Sequence, residues 1–317
     1  MYPRLSDLIE QGLGIPMPIP TYSFGVMVAV ALLTGTWLAA RELDRMYDAG
    51  QIGGVRVPSE SGHRTTTASP SVWVGTLAVV AIVAVAIVAV VAVVTGVLGA
   101  KLFHTLENLD AFLLNPVGMV LSSGGLTFWG GLIVAGGALV WMLRQHDLSV
   151  ARVADATAPS LMLGYGIGRI GCHLAGDDDW GFSADLSSKP DGIPMWLWAE
   201  SYPNAILGPP DVPVYPTSIY EAVASIALAG LLWTLRTHPF HTGWLFSVYL
   251  VLNGIERVLI EQIRVNNTFD LFGLTVAQAE RIAVGLVVVG GLGLVRTTRK
   301  TASPNAPPHD VPAKGTA

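Results

Sequence analysis

Two arginines stand within strongly apolar stretches of the chain, where a charge needs a physical reason. Arg169 lies among four glycines in LMLGYGIGRIGCHLAGDDDWG, and Arg257 lies in NGIERVLIEQIR. An arginine at the centre of a bilayer costs about 2.5–3.5 kcal/mol even on the lenient insertion scale. A guanidinium binds phosphate through two parallel hydrogen bonds, so both positions are candidates for an anion site. The alternatives are an arginine that snorkels to the headgroups and a salt-bridge ladder between helices.

Carboxylates accompany these arginines in the sequence. Glu261 and Arg264 follow Arg257 at four and seven residues, so the spacing predicts that the three share one helix face and that Glu261 pairs with a neighbour. Glu221 lies in YPTSIYE, one turn after Pro216, a residue that suits the first turn of a helix. Glu221 is either an acid favoured by the helix dipole or a site residue.

Small and weakly basic residues complete the set of candidates. The segment GGLTFWGGLI has two glycine pairs about one helical turn apart, which is typical of a face for close helix packing. Cys172 is the single cysteine, so no intramolecular disulfide can form, and we interpret it as a packing residue. His173 follows it and has the intrinsic pKa of a general base. The acidic run 177–179 is typical of a solvated turn.

The rest of the sequence indicates what positions these residues. The chain of 317 residues is 51% hydrophobic and 13% charged, against about 25% charged residues in a soluble domain. A membrane helix needs about 20 mostly apolar residues, and seven segments qualify. They are 22–40, 72–100, 124–143, 156–174, 217–235, 244–263 and 276–295. The sequence therefore predicts an all-α integral membrane protein with about seven transmembrane helices.

The remaining segments suggest three parts. Residues 1–21 form a short N-terminal segment, which is broken by prolines and lacks the apolar run of a cleavable signal peptide. Residues 22–296 form the membrane domain, with a polar loop at 42–70 and a long outer loop at 177–214. Residues 297–317 form a tail rich in proline and alanine, a composition typical of disorder.

Lysines and arginines are divided unevenly between alternate loops, which predicts the orientation. One side carries Arg41, Arg45, Arg56, Arg64, Arg144, Arg152, Arg236, Arg296, Arg299, Lys300 and Lys314. The other side carries Arg4, Lys101, Lys189 and Arg264. Because cytoplasmic loops carry the excess of positive residues, we expect the N-terminus outside, the C-terminus in the cytoplasm and the loop 177–214 facing outward.

Taken in order, the motifs resemble those of the bacterial prolipoprotein diacylglyceryl transferase family. The four motifs are GGLTFWGGLI, GRIG with the following GD and G, YPTSIYE, and R-x-x-x-E-x-x-R, and the resemblance covers about 22–295. It implies a multi-pass enzyme of the bacterial cytoplasmic (inner) membrane that moves a diacylglyceryl group from phosphatidylglycerol to the lipobox cysteine thiol of preprolipoproteins. It implies no metal, no cofactor and no nucleic acid, and as partners only the two substrates and membrane lipids.

The resemblance also implies roles for individual residues. Catalytic roles fall on Arg169, Arg257, Glu261 and Glu221. Substrate-binding or scaffold roles fall on Arg169, Arg264, Gly168, Gly171, Gly181, Tyr220, Trp129, Cys172 and His173. In this assignment the two arginines hold the lipid phosphate, and Glu261 and Arg264 support them.

Four polar positions of the family pattern differ in this chain. Trp129 and Tyr215 stand where histidines are common, and the first of those histidines is the family's proposed general base. Cys172 stands where asparagine is common, and Phe24 where a tyrosine is. The thiol therefore has to lose its proton by another route, or the chain is a non-catalytic relative that binds lipid or lipoprotein.

Several routes to the thiolate stay open on the sequence. His173, Glu221 and the acids 177–179 are candidate bases. A dedicated base is also dispensable if two arginines stabilise the anion, because a thiol with a pKa of about 8.5 is already a few per cent thiolate at neutral pH. A transporter is disfavoured, since the in-membrane charges cluster toward the outer half rather than forming a pathway through both leaflets.

Overall fold

The computed structural model describes residues 2–15, 21–58, 65–72, 128–177, 180–205, 208–265, 268–271 and 274–298. Its helices are α1 (Leu5–Leu13), α2 (Ser23–Asp48), α3 (Phe128–Gln145), α4 (Val150–Ala175), α5 (Met195–Trp198), α6 (Thr217–Leu235), α7 (Trp244–Glu261) and α8 (Gln278–Thr297). Apart from residue 72, the predicted span 72–100 lies outside the described residues, as do the start of the span 124–143 and the tail beyond 298.

The predicted helices that can be compared are present, with shifted ends. Helix α6 has the predicted bounds 217–235, and α7 ends two residues before 263. Helix α4 begins six residues before 156. Helix α2 continues past residue 40 to Asp48, so the prediction of a polar loop from residue 42 is wrong in its first part.

The extension of α2 has a packing cause. Leu43 and Met46 are buried in a core with Leu143 of α3 and Val153 of α4. The segment thus continues as an amphipathic helix after its apolar run has ended. Apolar runs alone place the end of the membrane segment but not the end of the helix.

The structure also contains two short hairpins that the sequence analysis did not predict. Strand β1 (Val55–Pro58) pairs antiparallel with β2 (Thr65–Ala68), and β3 (Thr268–Leu271) pairs with β4 (Leu274–Ala277). Both are rich in β-branched residues, which favour the pleated conformation. Residues 276–277, predicted as the start of the last span, therefore belong to β4.

The N-terminal segment also contains more structure than predicted. Helix α1 ends at Gly14, which adopts a left-handed conformation with φ of 68° that glycine tolerates without strain. The backbone N–H of Leu5 donates to Thr21 at 2.7 Å, and that of Ser23 donates to Pro3 at 2.9 Å. These bonds hold α1 against the start of α2.

Helix α4 is the central element, because it packs against α2, α6 and α7. Its glycines permit the close approach: a Cβ at Gly166 would lie 3.1 Å from the Ala222 carbonyl oxygen of α6, and one at Gly171 would lie 3.0 Å from Cβ of Met27 on α2. Helix α8 packs on α7. Small residues at such crossings are typical of helices that pack in membranes.

The protein is mostly helical, and α2 and α6 are, among the described helices, the two that are long and apolar enough to cross a membrane.

Ion pairs and hydrogen bonds to helix ends stabilise one end of the bundle. At the end away from loop 177–214, buried Glu42 pairs with Arg45 at 2.5 Å and Arg236 at 3.4 Å. Asp155 accepts hydrogen bonds from the backbone N–H groups of Gly243 and Phe246, at the start of α7.

Candidate active site

The site is built around the carboxylate of Glu221, in the second turn of α6. Its Oε2 lies 2.8 Å from Nε of Arg169 on α4, and its Oε1 lies 2.7 Å from Nη1 of Arg257 on α7. One acid therefore joins two guanidiniums from two other helices. Glu221 therefore contacts side chains of neighbouring helices in addition to lying near the start of α6.

Tyr165 also contacts Glu221, and sequence reasoning missed this residue. Its hydroxyl donates to Oε1 of Glu221 at 3.2 Å and accepts from Nη2 of Arg169 at 3.0 Å. The guanidinium carbon of Arg169 also lies 4.8 Å from the centroid of the Tyr165 ring, within cation–π range. The available signal was the spacing of four residues between the two, which places them on one helix face.

Glu261 was predicted to pair with one of its two neighbouring arginines, and it pairs with Arg257. The prediction that Arg264 shares the same helix face is wrong. Nη2 of Arg257 lies 2.6 Å from Oε1 of Glu261. Helix α7 ends at Glu261, so Arg264 does not continue its face. Arg264 forms an isolated β-bridge with Gly181 instead, which brings it to the first part of the outer loop.

The glutamates and the arginines of the site differ in how deeply they are buried. The side chains of Glu221 and Glu261 are 1% and 2% exposed, whereas those of Arg169 and Arg257 are 17% and 19% exposed. The acids therefore lie behind the guanidiniums, and the cations face the accessible side. A guanidinium has five N–H donors, so it can bind a carboxylate on one edge and an anion on another.

The predicted glycines differ in their surroundings. A Cβ at Gly181 would lie 2.5 Å from the Ile263 carbonyl oxygen, so only glycine fits where the outer loop crosses the end of α7. Gly171 packs on Phe24 and Met27 of α2. Among the residues that the structure describes, no atom lies within 4 Å of a Cβ built at Gly168, directly before Arg169.

Other predicted residues are held by the outer loop. Tyr220 donates to the Leu197 carbonyl at 2.7 Å, which ties α6 to α5. Nδ1 of His173 lies 3.1 Å from the Tyr202 hydroxyl, and the two rings meet edge to face. Cys172 is half-buried.

The positions that depart from the family pattern can be placed in part. Trp129 is the second residue of α3. The hydroxyl of Tyr215 accepts from the backbone N–H of Asp185 at 3.3 Å, and its ring meets Trp198 edge to face. In the same loop, hydrogen bonds from Ser187 lower the pKa of the exposed Asp185 carboxyl. Of the acidic run 177–179, residues 178 and 179 lie outside the described residues.

Comparison with known proteins identifies the family. The family model for prolipoprotein diacylglyceryl transferase matches residues 71–296. A phosphatidylglycerol–prolipoprotein diacylglyceryl transferase of Frankia alni is 32% identical over 95% of this chain and 68% of its own length. A protein of the same name from Vibrio cholerae is 28% identical over 88% of this chain and 88% of its own length. Another from Corynebacterium diphtheriae is 27% identical over 91% of this chain and 92% of its own length. The chain belongs to the prolipoprotein diacylglyceryl transferase family.

Proposed function

We infer that this chain transfers the diacylglyceryl group of phosphatidylglycerol to the lipobox cysteine of a preprolipoprotein. The relatives carry that activity in their names. The observation that carries the inference to this chain is the pair of partly accessible guanidiniums, Arg169 and Arg257, fixed on one buried glutamate. This is an arrangement suited to a phosphodiester.

The proposed chemistry is displacement at a glycerol carbon. The cysteine sulfur forms a bond to that carbon, the bond from carbon to the phosphate oxygen breaks, and negative charge grows on the departing glycerol phosphate. Cations that are already in place where charge develops stabilise the transition state, and one such donor is worth about 10²–10³ in rate. Arg169 and Arg257 would bind the phosphate, and Glu221, Glu261 and Tyr165 would hold them in position.

The membrane arrangement belongs to the same proposal. We propose a membrane domain at 22–296 with seven transmembrane helices in the bacterial inner membrane, an extracytoplasmic segment at 1–21 and a cytoplasmic tail at 297–317. The site lies at the end of the bundle that carries loop 177–214, and Arg45 and Arg236 lie at the opposite end. This distribution supports an outward-facing site, where lipid tails have lateral access and water is excluded as a competing nucleophile.

The decisive experiment for the function uses the purified full chain. We expect incubation with phosphatidylglycerol vesicles and a synthetic lipobox peptide to add one diacylglyceryl group to the peptide, measured by mass spectrometry. A peptide with serine in place of cysteine, and vesicles of phosphatidylcholine, are the controls. Binding of phosphatidylglycerol without any transfer would contradict the proposed transfer activity and would favour a non-catalytic lipid-binding relative.

Orientation gives a separate prediction. Alkaline phosphatase fused to the C-terminus should be inactive in intact cells, because the charge distribution places that end in the cytoplasm. The measurement is phosphatase activity compared with a fusion in the loop 177–214, which should be active. A C-terminal fusion as active as the loop fusion would reverse the proposed topology.

The departures from the family pattern give a prediction about two side chains. Trp129→Phe should leave transfer nearly unchanged, because an aromatic wall is kept and no proton is handled there. His173→Ala should lower the transfer rate by less than about tenfold, well below the 10²–10⁴ typical of a general base, because its imidazole is engaged by Tyr202 of the outer loop. The rates are measured with saturating lipid. A loss of several orders of magnitude in His173→Ala, with normal membrane insertion, would make His173 the base.

A further inference from the structure

Glu256 is a buried acid next to the site that the proposed phosphate chemistry does not use. It lies on α7 directly before Arg257, and it is 6% exposed. No described residue donates a hydrogen bond to either of its carboxylate oxygens. A buried polar group without a partner is destabilising, and more so when it is charged, so its presence calls for an explanation.

The surroundings of Glu256 place it at the site rather than elsewhere in the bundle. Its charge interacts with those of Glu221, Arg257 and Arg169, and with the hydroxyl of Tyr165. These are the residues that hold the proposed phosphate site. A nucleophile that attacks the glycerol carbon of a lipid whose phosphate is bound by Arg169 and Arg257 has to approach these two arginines, with which Glu256 interacts.

The other nearby acids are committed to the arginines. Glu221 is joined to Arg169, Arg257 and Tyr165, and Glu261 is joined to Arg257. Taking up a proton would weaken the ion pairs that fix both guanidiniums. Glu256 has no such bond to lose among the described residues.

We propose that Glu256 is the general base that takes the proton from the lipobox thiol. The proposal rests on the transfer activity inferred above. The Sγ–H bond breaks with its proton passing to a carboxylate oxygen of Glu256, and Sγ forms its bond to the glycerol carbon. The bond from carbon to phosphate oxygen breaks, and its electron pair leaves with the phosphate held by Arg169 and Arg257. The proton then passes from Glu256 to the departing glycerol phosphate or to water.

The test compares two nucleophiles in one variant, Glu256→Gln, which keeps the shape and removes the base. A lipobox peptide with cysteine needs a base, whereas the same peptide with selenocysteine does not, because a selenol is already ionised at neutral pH. We expect Glu256→Gln to slow transfer to the cysteine peptide by about a hundredfold or more and to change transfer to the selenocysteine peptide less than threefold. Glu280→Gln, in the first turn of α8, is the matched control and should change neither rate.

Two results would overturn the proposal: an unchanged rate with the cysteine peptide, or an equal loss with both peptides, which indicates a structural role. If Glu256→Gln fails to insert into the membrane, the test is the pH dependence of transfer by the unmodified chain. A base requires that cysteine transfer levels off below the thiol pKa of about 8.5, whereas base-free transfer rises tenfold per pH unit up to that value. Failure of the unmodified chain with both peptides would instead contradict the transfer activity itself.

Discussion

Arg169→Ala and Arg257→Ala should each lower diacylglyceryl transfer by at least about a hundredfold while the protein remains inserted in the membrane. Each change removes one of the two cations that face the accessible side of the site. The measurement is the rate with phosphatidylglycerol vesicles and lipobox peptide, together with the amount of protein in the membrane fraction. Arg41→Ala is the control, because Arg41 lies in the C-terminal half of α2, over the ring of Trp37.

Lysine replacements refine this prediction. Nε of Arg169 contacts Glu221 while its Nη2 contacts the Tyr165 hydroxyl, and Arg257 contacts Glu221 and Glu261 through its two terminal nitrogens. An ammonium is a point charge that cannot make such divided contacts and still offer a planar edge to phosphate. Arg169→Lys and Arg257→Lys should therefore recover little activity. Normal transfer in both alanine variants would show that the phosphate binds elsewhere.

Some of this arrangement could be predicted from local sequence. Helix α6 has its predicted bounds because an apolar run follows Pro216 directly and ends at Arg236. That Glu261 pairs with a neighbouring arginine could be predicted, because a spacing of three or four residues brings side chains together within one helix. Both features depend only on residues close in the chain.

The centre of the site could not be predicted in this way. Arg169 and Glu221 are far apart in sequence, and their contact depends on which faces of α4 and α6 meet. That choice is made by packing, since Gly166 admits the backbone of α6 near Ala222. For the same reason the sequence named Glu221 as a candidate without its partners and assigned no role to Glu256.

The wrong prediction for Arg264, at the end of α7, has a related cause. Arg264 was placed on the face of Arg257 because helical spacing was extended beyond the real end of α7. The outer loop crosses there, with the Phe182 N–H donating to the Ile263 carbonyl at 3.0 Å. A contact between distant segments ended the helix, and no periodicity within α7 reports it.

Glu221→Gln should have the largest combined effect on activity and stability. Glu221 is 1% exposed and holds two guanidiniums from different helices. Removing one partner of a buried ion pair costs about 3–5 kcal/mol, because the remaining charge is left uncompensated. We expect a lower thermal unfolding midpoint in detergent and at least a hundredfold loss of transfer.

The kinetic pattern distinguishes a positioning residue from a phosphate ligand. Without the carboxylate the site is more positive, so the KM for phosphatidylglycerol should stay equal or fall. The guanidiniums are no longer fixed where charge develops, so kcat should drop, which is the pattern of an interaction needed in the transition state. An increase in KM at unchanged kcat would contradict this role.

A second substitution tests whether the instability comes from uncompensated charge. In the background of Arg257→Gln one cation is already absent, so adding Glu221→Gln should destabilise the protein much less than it does in the unmodified chain. Two residues in one ion-pair network show interaction energies of about 0.5–3 kcal/mol when the single and double substitutions are compared in a double-mutant cycle. Strictly additive effects would mean that Glu221 does not bind Arg257 in the membrane. Coupled stability together with a selective loss of kcat would mean that the buried glutamate keeps two cations oriented toward a charge that exists only during transfer.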